Sequence, residues 1–148
     1  MKAVIQRVTS ASVSIEGRIH ESVGYGLLVL LGVSKTDTKI NGEKMAKKII
    51  DLRIFEDEKG LMNLSVKNTE GGVLVISQFT ICANTEKSGN RPSFSDAMEP
   101  VQANELFEYT VNRMKEYYMP EKVKTGVFAA MMDVDLVNSG PVTIIMEK

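Results

Sequence analysis

Val134-Asp135-Leu136-Val137-Asn138-Ser139-Gly140-Pro141-Val142-Thr143-Ile144-Ile145-Met146 decides how this chain is read. Val134 to Val137 and Val142 to Met146 carry the β-branched, alternating character of strands, yet a proline stands between them. Inside a strand a proline removes a ladder donor and confines the strand to a sheet edge. One compensation would be functional: a Gly-Pro step can aim two backbone carbonyls into a pocket as fixed acceptors for a substrate ammonium. The other reading of the same residues is an ordinary Gly-Pro turn. The stretch alone leaves both open.

Working outward, the chain shows alternating elements without linkers, repeats or low-complexity segments, so one domain over residues 1–148 is expected. A chain of that length can bury about two-thirds of its unfolded surface. Val4, Gln6 and Val8 alternate with Ile5, Arg7 and Thr9, and Val13 and Ile15 continue the strand. Glu16-Gly17 reads as a hairpin turn into Arg18 to Val23. Leu27 to Val33 is a buried strand. Asp37 or Thr38 can cap a helix with the stripe Met45, Ile49, Leu52, although Gly42 weakens its first turn. Arg53 to Phe55 returns to strand before the polar turn Glu56-Asp57-Glu58-Lys59-Gly60, and Gly71-Gly72 opens a central strand over Val73 to Ile81. Pro100 suits the first turn of a second helix, with Ala103, Leu106, Phe107, Thr110, Met114 and Tyr117 on one face, ending before Pro120. Val123 to Met146 is again strand. The expected class is α+β: a largely antiparallel sheet closing toward a barrel, with two main helices.

Composition narrows the chemistry. The single cysteine, Cys82, excludes an internal disulfide and any multi-cysteine metal site, and reads as a small packing residue. Leu27 to Leu31, the longest apolar run, is too short to span a bilayer, and Met1 to Arg7 enters a strand directly. A soluble, cytoplasmic protein without membrane contact is expected. The 18 basic and 19 acidic residues give a net charge of -1, no global footprint of a nucleic-acid binder. Local clusters exist at Lys44, Lys47 and Lys48, at Lys87 with Arg91, and at Lys122 with Lys124. A protein gripping only the end of an RNA needs few phosphate contacts. There is no Gly-rich phosphate loop, no His-Glu-x-x-His and no Gly-x-Ser-x-Gly elbow. His20, the only histidine, falls on an outer hairpin strand and reads as a solvent-facing residue, which leaves a serine-hydrolase triad unsupported.

Ser77, Gln78 and Thr80 interrupt an otherwise apolar run. Hydroxyls and an amide there cost free energy unless they are bonded or face a cleft. On a continuing strand Gln78 and Thr80 would share one face, with Cys82 following, and Ser77 and Phe79 the other. They either line a cleft or satisfy neighbouring backbone as the strand leaves the core.

Five segments in order, Gln6-Arg7-Val8, Leu52-Arg53-Ile54-Phe55, Ser77-Gln78-Phe79-Thr80-Ile81, Arg91-Pro92-Ser93-Phe94 and Gly140-Pro141-Val142-Thr143, resemble the D-aminoacyl-tRNA deacylases over essentially the whole chain. The resemblance implies hydrolysis of the ester of D-aminoacyl-tRNA, and of glycine mischarged on tRNA, without metal or cofactor. It implies a cis Gly140-Pro141 bond whose carbonyls face the substrate α-amino group and exclude L-residues by a clash. Val142 and Thr143 complete that substrate-binding loop, and Arg7 corresponds to the arginine that braces it. Ser77, Gln78, Phe79 and Thr80 would form the catalytic segment. Backbone N–H groups of Phe79 and Thr80 would serve as oxyanion donors, with Gln78 holding the terminal adenosine of the tRNA acceptor end. Thr80 as nucleophile is the other option, but no base adjoins it in sequence. The resemblance further implies a homodimer in which the loop of one subunit completes the site of the other. Three residues depart from the family pattern: Ser139 in place of aspartate, Ile81 in place of leucine, and Ala129, after Phe128, in place of glycine. A deacylase of relaxed chirality and a non-catalytic binding module of the same fold are the alternatives.

Overall fold

The computed structural model describes residues 1–85 and 90–148, so Lys87 of the Lys87–Arg91 cluster lies outside the described residues. Strand β1 (Lys2–Ile15) turns at Glu16 and Gly17, both at positive φ, into β2 (Arg18–Val23), and β3 (Gly26–Gly32) follows. Consecutive positive φ values match the right-handed twist of a two-residue hairpin, which is why Gly17 is needed there. His20 is exposed on β2, as expected.

Helix α1 (Lys39–Ile50) starts at Thr38, whose backbone N–H donates to Asn41 Oδ1 at 2.9 Å. Leu52 of the expected stripe lies just past its end and still packs on the core. After α1 come β4 (Phe55–Glu56) and β5 (Met62–Leu64), which form a separate hairpin, then the single turn α2 (Val66–Thr69). Strand β6 (Gly72–Ser77) ends earlier than expected, because Phe79–Cys82 winds into a 3-10 turn. Helix α3 (Pro100–Tyr117) has its expected proline in the first turn and buries Ala103, Leu106, Phe107, Thr110 and Met114. A 3-10 turn at Pro120–Lys122 leads to the short β7 (Val123–Thr125), and residues 126–132 are irregular before β8 (Asp133–Glu147).

The six-stranded sheet runs β2-β1-β3-β6-β7, with β8 paired to β1, and curls toward a barrel. β1 pairs antiparallel with β2, β3 and β8. The sheet is antiparallel at these three pairings, as expected, while β3–β6 and β6–β7 are parallel. Parallel neighbours need crossover connections, supplied here by α1 and α3. Both faces of β3 and β6 are covered. Leu27, Val29, Leu31, Val73 and Val75 pack beneath α1 and α3, while Leu28, Leu74 and Ile76 join Val8, Ala11 and Val13 on the other face. Ala3 and Ile5 face the helices, yet Ala11 and Val13, also odd-numbered, face away; a register irregularity between Val8 and Ser10 supplies the change of parity.

Gly42 is explained by close approach of α1 and α3. A Cβ there would stand 2.6 Å from Thr110 Oγ1. The helix pair is cross-tied by Glu43, held by the Arg113 guanidinium and the Tyr109 hydroxyl, and Arg113 keeps the Glu43 carboxyl below its ordinary range. Among the described residues no helix is long and apolar enough to cross a membrane.

Candidate active site

Strand β8 solves its proline problem by looping out. Gln6 pairs with Thr143 and Val8 with Asn138, so the four residues Ser139 to Val142 stand opposite Arg7 alone. Among the described residues β8 pairs only with β1, as an edge strand should when it carries a proline. The Gly140–Pro141 bond is cis. Gly140 has φ +123, where an added Cβ would also meet Val142 Cγ2 at 2.7 Å and Arg7 Nη2 at 3.0 Å. Only glycine fits there. Gly140, Pro141 and Thr143 are exposed, whereas Val142 is buried in the core and anchors the loop's exit.

Arg7 lies beneath this loop, 5% exposed. Its Nη1 donates to the Ile54 carbonyl at 2.8 Å, its Nε to the Ser139 carbonyl at 3.3 Å, and its Nη2 faces Glu56 Oε1 at 3.4 Å. Arg7 shares the helix-side face of β1 with Ala3 and Ile5, and a buried cation there is tolerated because it is paired and bonded. Leu52-Arg53-Ile54-Phe55 thus serves the site through the Ile54 carbonyl, and Arg53 secures the hairpin by donating to the Asn63 carbonyl at 2.7 Å. Arg7 engages the main-chain oxygen of Ser139, which any residue supplies, so serine at 139 leaves this contact intact.

The second constellation lies at the carboxyl end of β6. Gln78 donates its backbone N–H to the Leu31 carbonyl at 2.9 Å, the chain then turns, and Phe79 and Thr80 head the 3-10 turn. Strict strand alternation therefore stops at Ser77, which corrects the expected face-sharing of residues 78–82. The turn brings Gln78 and Thr80 together in another way: Gln78 Nε2 donates to Thr80 Oγ1. The leading N–H groups of a helical turn have no intrahelical acceptor, so those of Phe79 and Thr80 are placed to receive an anion. Phe79 is 57% exposed and meets Phe94 edge-to-face, with ring centroids 5.1 Å apart, bringing the Arg91–Phe94 segment onto the same site. Cys82 is buried, 3.6 Å from Ser34 Oγ, and packs as expected.

A cavity of about 670 Å³ opens beside this turn. Ser77, Gln78 and Phe79 form one wall; Met98, Phe107, Phe128 and Met132 contribute to the others. Glu99 is the one charged residue in the lining among the described residues. Sequence reasoning pointed to Ser77, Gln78, Phe79 and Phe94, but it missed the walls contributed by Met98, Met131 and Met132. Ala129 lines the cavity with φ +60, the left-handed region that costs a residue with a Cβ. Among the described residues, no group of three His, Cys, Asp or Glu side chains could hold a metal ion.

Within one chain the two constellations are separate. Arg7 pairs with Leu27 while the cavity is lined by Leu31, four residues further along β3 or roughly 13 Å. None of Gly140, Pro141, Val142 or Thr143 lines the cavity.

The family model for D-Tyr-tRNA(Tyr) deacylase matches residues 4–147. The chain belongs to this family. A D-aminoacyl-tRNA deacylase of Aquifex aeolicus is 51% identical over 148 residues, covering 100% of this chain and 98% of its own. One of Koribacter versatilis is 50% identical, with 100% and 97% covered. A solved structure described as the c-Myc DNA unwinding element binding protein superposes with a TM-score of 0.95 at 42% identity, covering 100% of this chain and 99% of that one. A probable eukaryotic D-amino acid tRNA deacylase shares the fold, with a TM-score of 0.80 at 11% identity and coverage of 98% and 97%. The deacylase family's membership frames both constellations described above, the braced Gly140–Pro141 loop and the Ser77–Thr80 turn.

Proposed function

We infer that the protein hydrolyses the ester bond of D-aminoacyl-tRNA, releasing the D-amino acid and tRNA. The observation that carries this is full-length identity of about half to relatives named D-aminoacyl-tRNA deacylase. The reaction consumes one water: its oxygen bonds to the acyl carbon, the ester C–O bond breaks, and the departing ribose oxygen takes a proton. Phe79 and Thr80 N–H groups stabilise the oxyanion, each donor contributing about 3 kcal/mol in such sites. The Thr80 hydroxyl accepts from Gln78 and, among the described residues, has no His or carboxylate partner, which favours attack by water, assisted by the substrate's own 2′-hydroxyl, over a threonine nucleophile. Gln78 and the exposed Phe79 suit the terminal adenosine, and Ser77 fixes the approach of the turn.

Gly140 and Pro141 form the chirality filter. A main-chain surface braced by Arg7 accepts the substrate ammonium, and an L-residue would drive its Cβ into that surface. D-residues and glycine avoid the clash, and the substrate side chain points outward, so many D-amino acids are accepted.

The active unit is a homodimer that joins the two constellations across a two-fold axis. Three features support this: their separation within one chain, the edge of β8 that no strand among the described residues pairs, and the exposed apolar side chains Val137 (57%), Ile145 (80%) and Met131 (90%) on and beside that strand. The cytoplasm, where aminoacyl-tRNA is found, is the proposed location.

Deacylation of D-Tyr-tRNA, L-Tyr-tRNA and Gly-tRNA tests the reading directly. D-Tyr-tRNA and Gly-tRNA should be hydrolysed and L-Tyr-tRNA spared; equal rates on D and L would remove the filter and leave a relaxed deacylase. Sedimentation during turnover tests the dimer, and a fully active monomer would refute it.

A further inference from the structure

Arg7 holds the Gly140–Pro141 loop from inside the protein; a second side chain closes its outer mouth. Asn138 is the last residue of β8 paired before the loop, opposite Val8, and Thr143 is the first paired after it, opposite Gln6. Asn138 Oδ1 accepts the backbone N–H of Val142 at 3.0 Å, and Asn138 Nδ2 donates to Thr143 Oγ1 at 3.0 Å. Gln6 Nε2 also donates to Thr143 Oγ1, at 3.3 Å. One amide therefore ties the entry of the loop to both residues of its exit. Pro141 has no N–H, and Val142 is too buried for its own N–H to find water, so Asn138 meets a need the backbone ladder cannot.

We propose that Asn138 is a positioning residue for chirality selection, its side-chain amide bridging Val142 and Thr143 to fix the aim of the Gly140–Pro141 main chain. This rests on the reading of that loop as the filter. A loop of four residues opposite one is free to breathe by an ångström or more unless both ends are tied, and discrimination by clash fails at smaller displacements. Arg7's hydrogen bond to the loop falls at Ser139, ahead of the glycine. Asn138 restrains it after the proline, so the two braces enclose the selective pair.

The test measures deacylation of D-Tyr-tRNA and L-Tyr-tRNA by the full-length protein and the variants Asn138→Ala, Asn138→Asp and Gly140→Ala, with thermal melts of each. Asn138→Ala should raise the L:D rate ratio about tenfold, the equivalent of one lost buried hydrogen bond. Asn138→Asp should rescue most of the selectivity, since its carboxylate still accepts from Val142 and the Thr143 hydroxyl can turn to donate to it. A merely structural role would lower both rates in step with the melting temperature and leave the ratio unchanged. Should Asn138→Ala not fold, Asn138→Gln carries the same expectation, because its longer arm cannot meet both partners. Gly140→Ala separates the two ideas. If it relaxes selection while Asn138→Ala and Asn138→Gln do not, the filter stands and the role of Asn138 is refuted; if it leaves the ratio untouched, the filter fails and the inference falls with it.

Discussion

Replacing Arg7 by Met removes the inner brace while keeping most of the buried side-chain volume. Two hydrogen bonds from a charged donor are lost, one to Ile54 at 2.8 Å and a longer one to Ser139 at 3.3 Å. Bonds of this kind contribute about 1.5–3 kcal/mol each, with the longer one at or below the lower end. The contact with Glu56 adds little, because that carboxylate is 56% exposed and screened. Relief of guanidinium desolvation offsets part of the loss, so the net cost is about 2–3 kcal/mol. At about 2–4 °C per kcal/mol for a domain of this size, the melting temperature should fall by roughly 5–10 °C. The protein stays folded, but Ser139 is no longer anchored. Hydrolysis of L-Tyr-tRNA should rise relative to D-Tyr-tRNA in single-turnover assays at a temperature where both proteins are folded. Arg7→Lys should behave like Arg7→Met in selectivity, since one ammonium cannot reach two carbonyls that the guanidinium fork spans. An Arg7→Met protein that melts with the wild type, or that loses stability with its L:D ratio unchanged, would refute the bracing argument.

Three further outcomes are expected. Ala129→Gly relieves a left-handed conformation costing about 1–2 kcal/mol and gives back about 0.5–1 kcal/mol as unfolded-chain entropy, so denaturant melts should show stability unchanged to about 1 kcal/mol higher; clear destabilisation would mean the methyl packs usefully in the cavity wall. Thr80→Ala should retain most of the single-turnover rate on D-Tyr-tRNA, and a loss of many orders of magnitude in a folded protein would restore Thr80 as nucleophile. Backbone N–H bonds from Leu61 and Lys59 hold the Asp57 carboxyl below its ordinary range, so its contribution is complete above about pH 4 and is lost as pH falls through the lower folded value. The stability gap between wild type and Asp57→Asn should therefore close on acidification, as followed by melts between neutral pH and pH 2.

What the sequence disclosed were features written in local chemistry. Glu16-Gly17 demands a tight hairpin, Pro100 with its apolar stripe demands a helix, and Pro141 inside a β run demands an edge and a disruption of the ladder; each is present. What stayed hidden depends on partners distant in sequence. The runs Gly26–Gly32 and Gly72–Ser77 read as buried strands, but nothing in either says that they lie parallel. Ser77 to Ile81 keeps a strand's composition while the chain turns, because Gln78 gives its N–H to Leu31 and Phe79–Cys82 then winds into a 3-10 turn. Ile54 and Glu56 looked like strand and turn, and only the fold brings a carbonyl and a carboxylate of that hairpin beneath Arg7. The four-residue α2 is too short for any period to register.

The proposed main-chain filter would resolve a conflict that side chains could not. An enzyme that clears many D-amino acids must ignore the substrate side chain, yet it must respond absolutely to which side of the α-carbon that side chain occupies. A pocket fitted to one side chain would meet the second demand by failing the first, and apolar fit discriminates by only about 1–3 kcal/mol in any case. A fixed backbone face reads what every substrate shares, the ammonium and the hydrogen or Cβ beside it. Its strength is then set by how little it can yield, which is why the supporting residues are a buried arginine, an amide bridge and a glycine admitting no Cβ. Those braces act at Ser139 and Val142, while Gly140 and Pro141 between them stay exposed. The cavity that would hold the ester lies elsewhere on the chain, so selection and hydrolysis fall to different parts of the fold. In the proposed homodimer, placing them on opposite sides of a two-fold axis would let the loop stay rigid without having to reach.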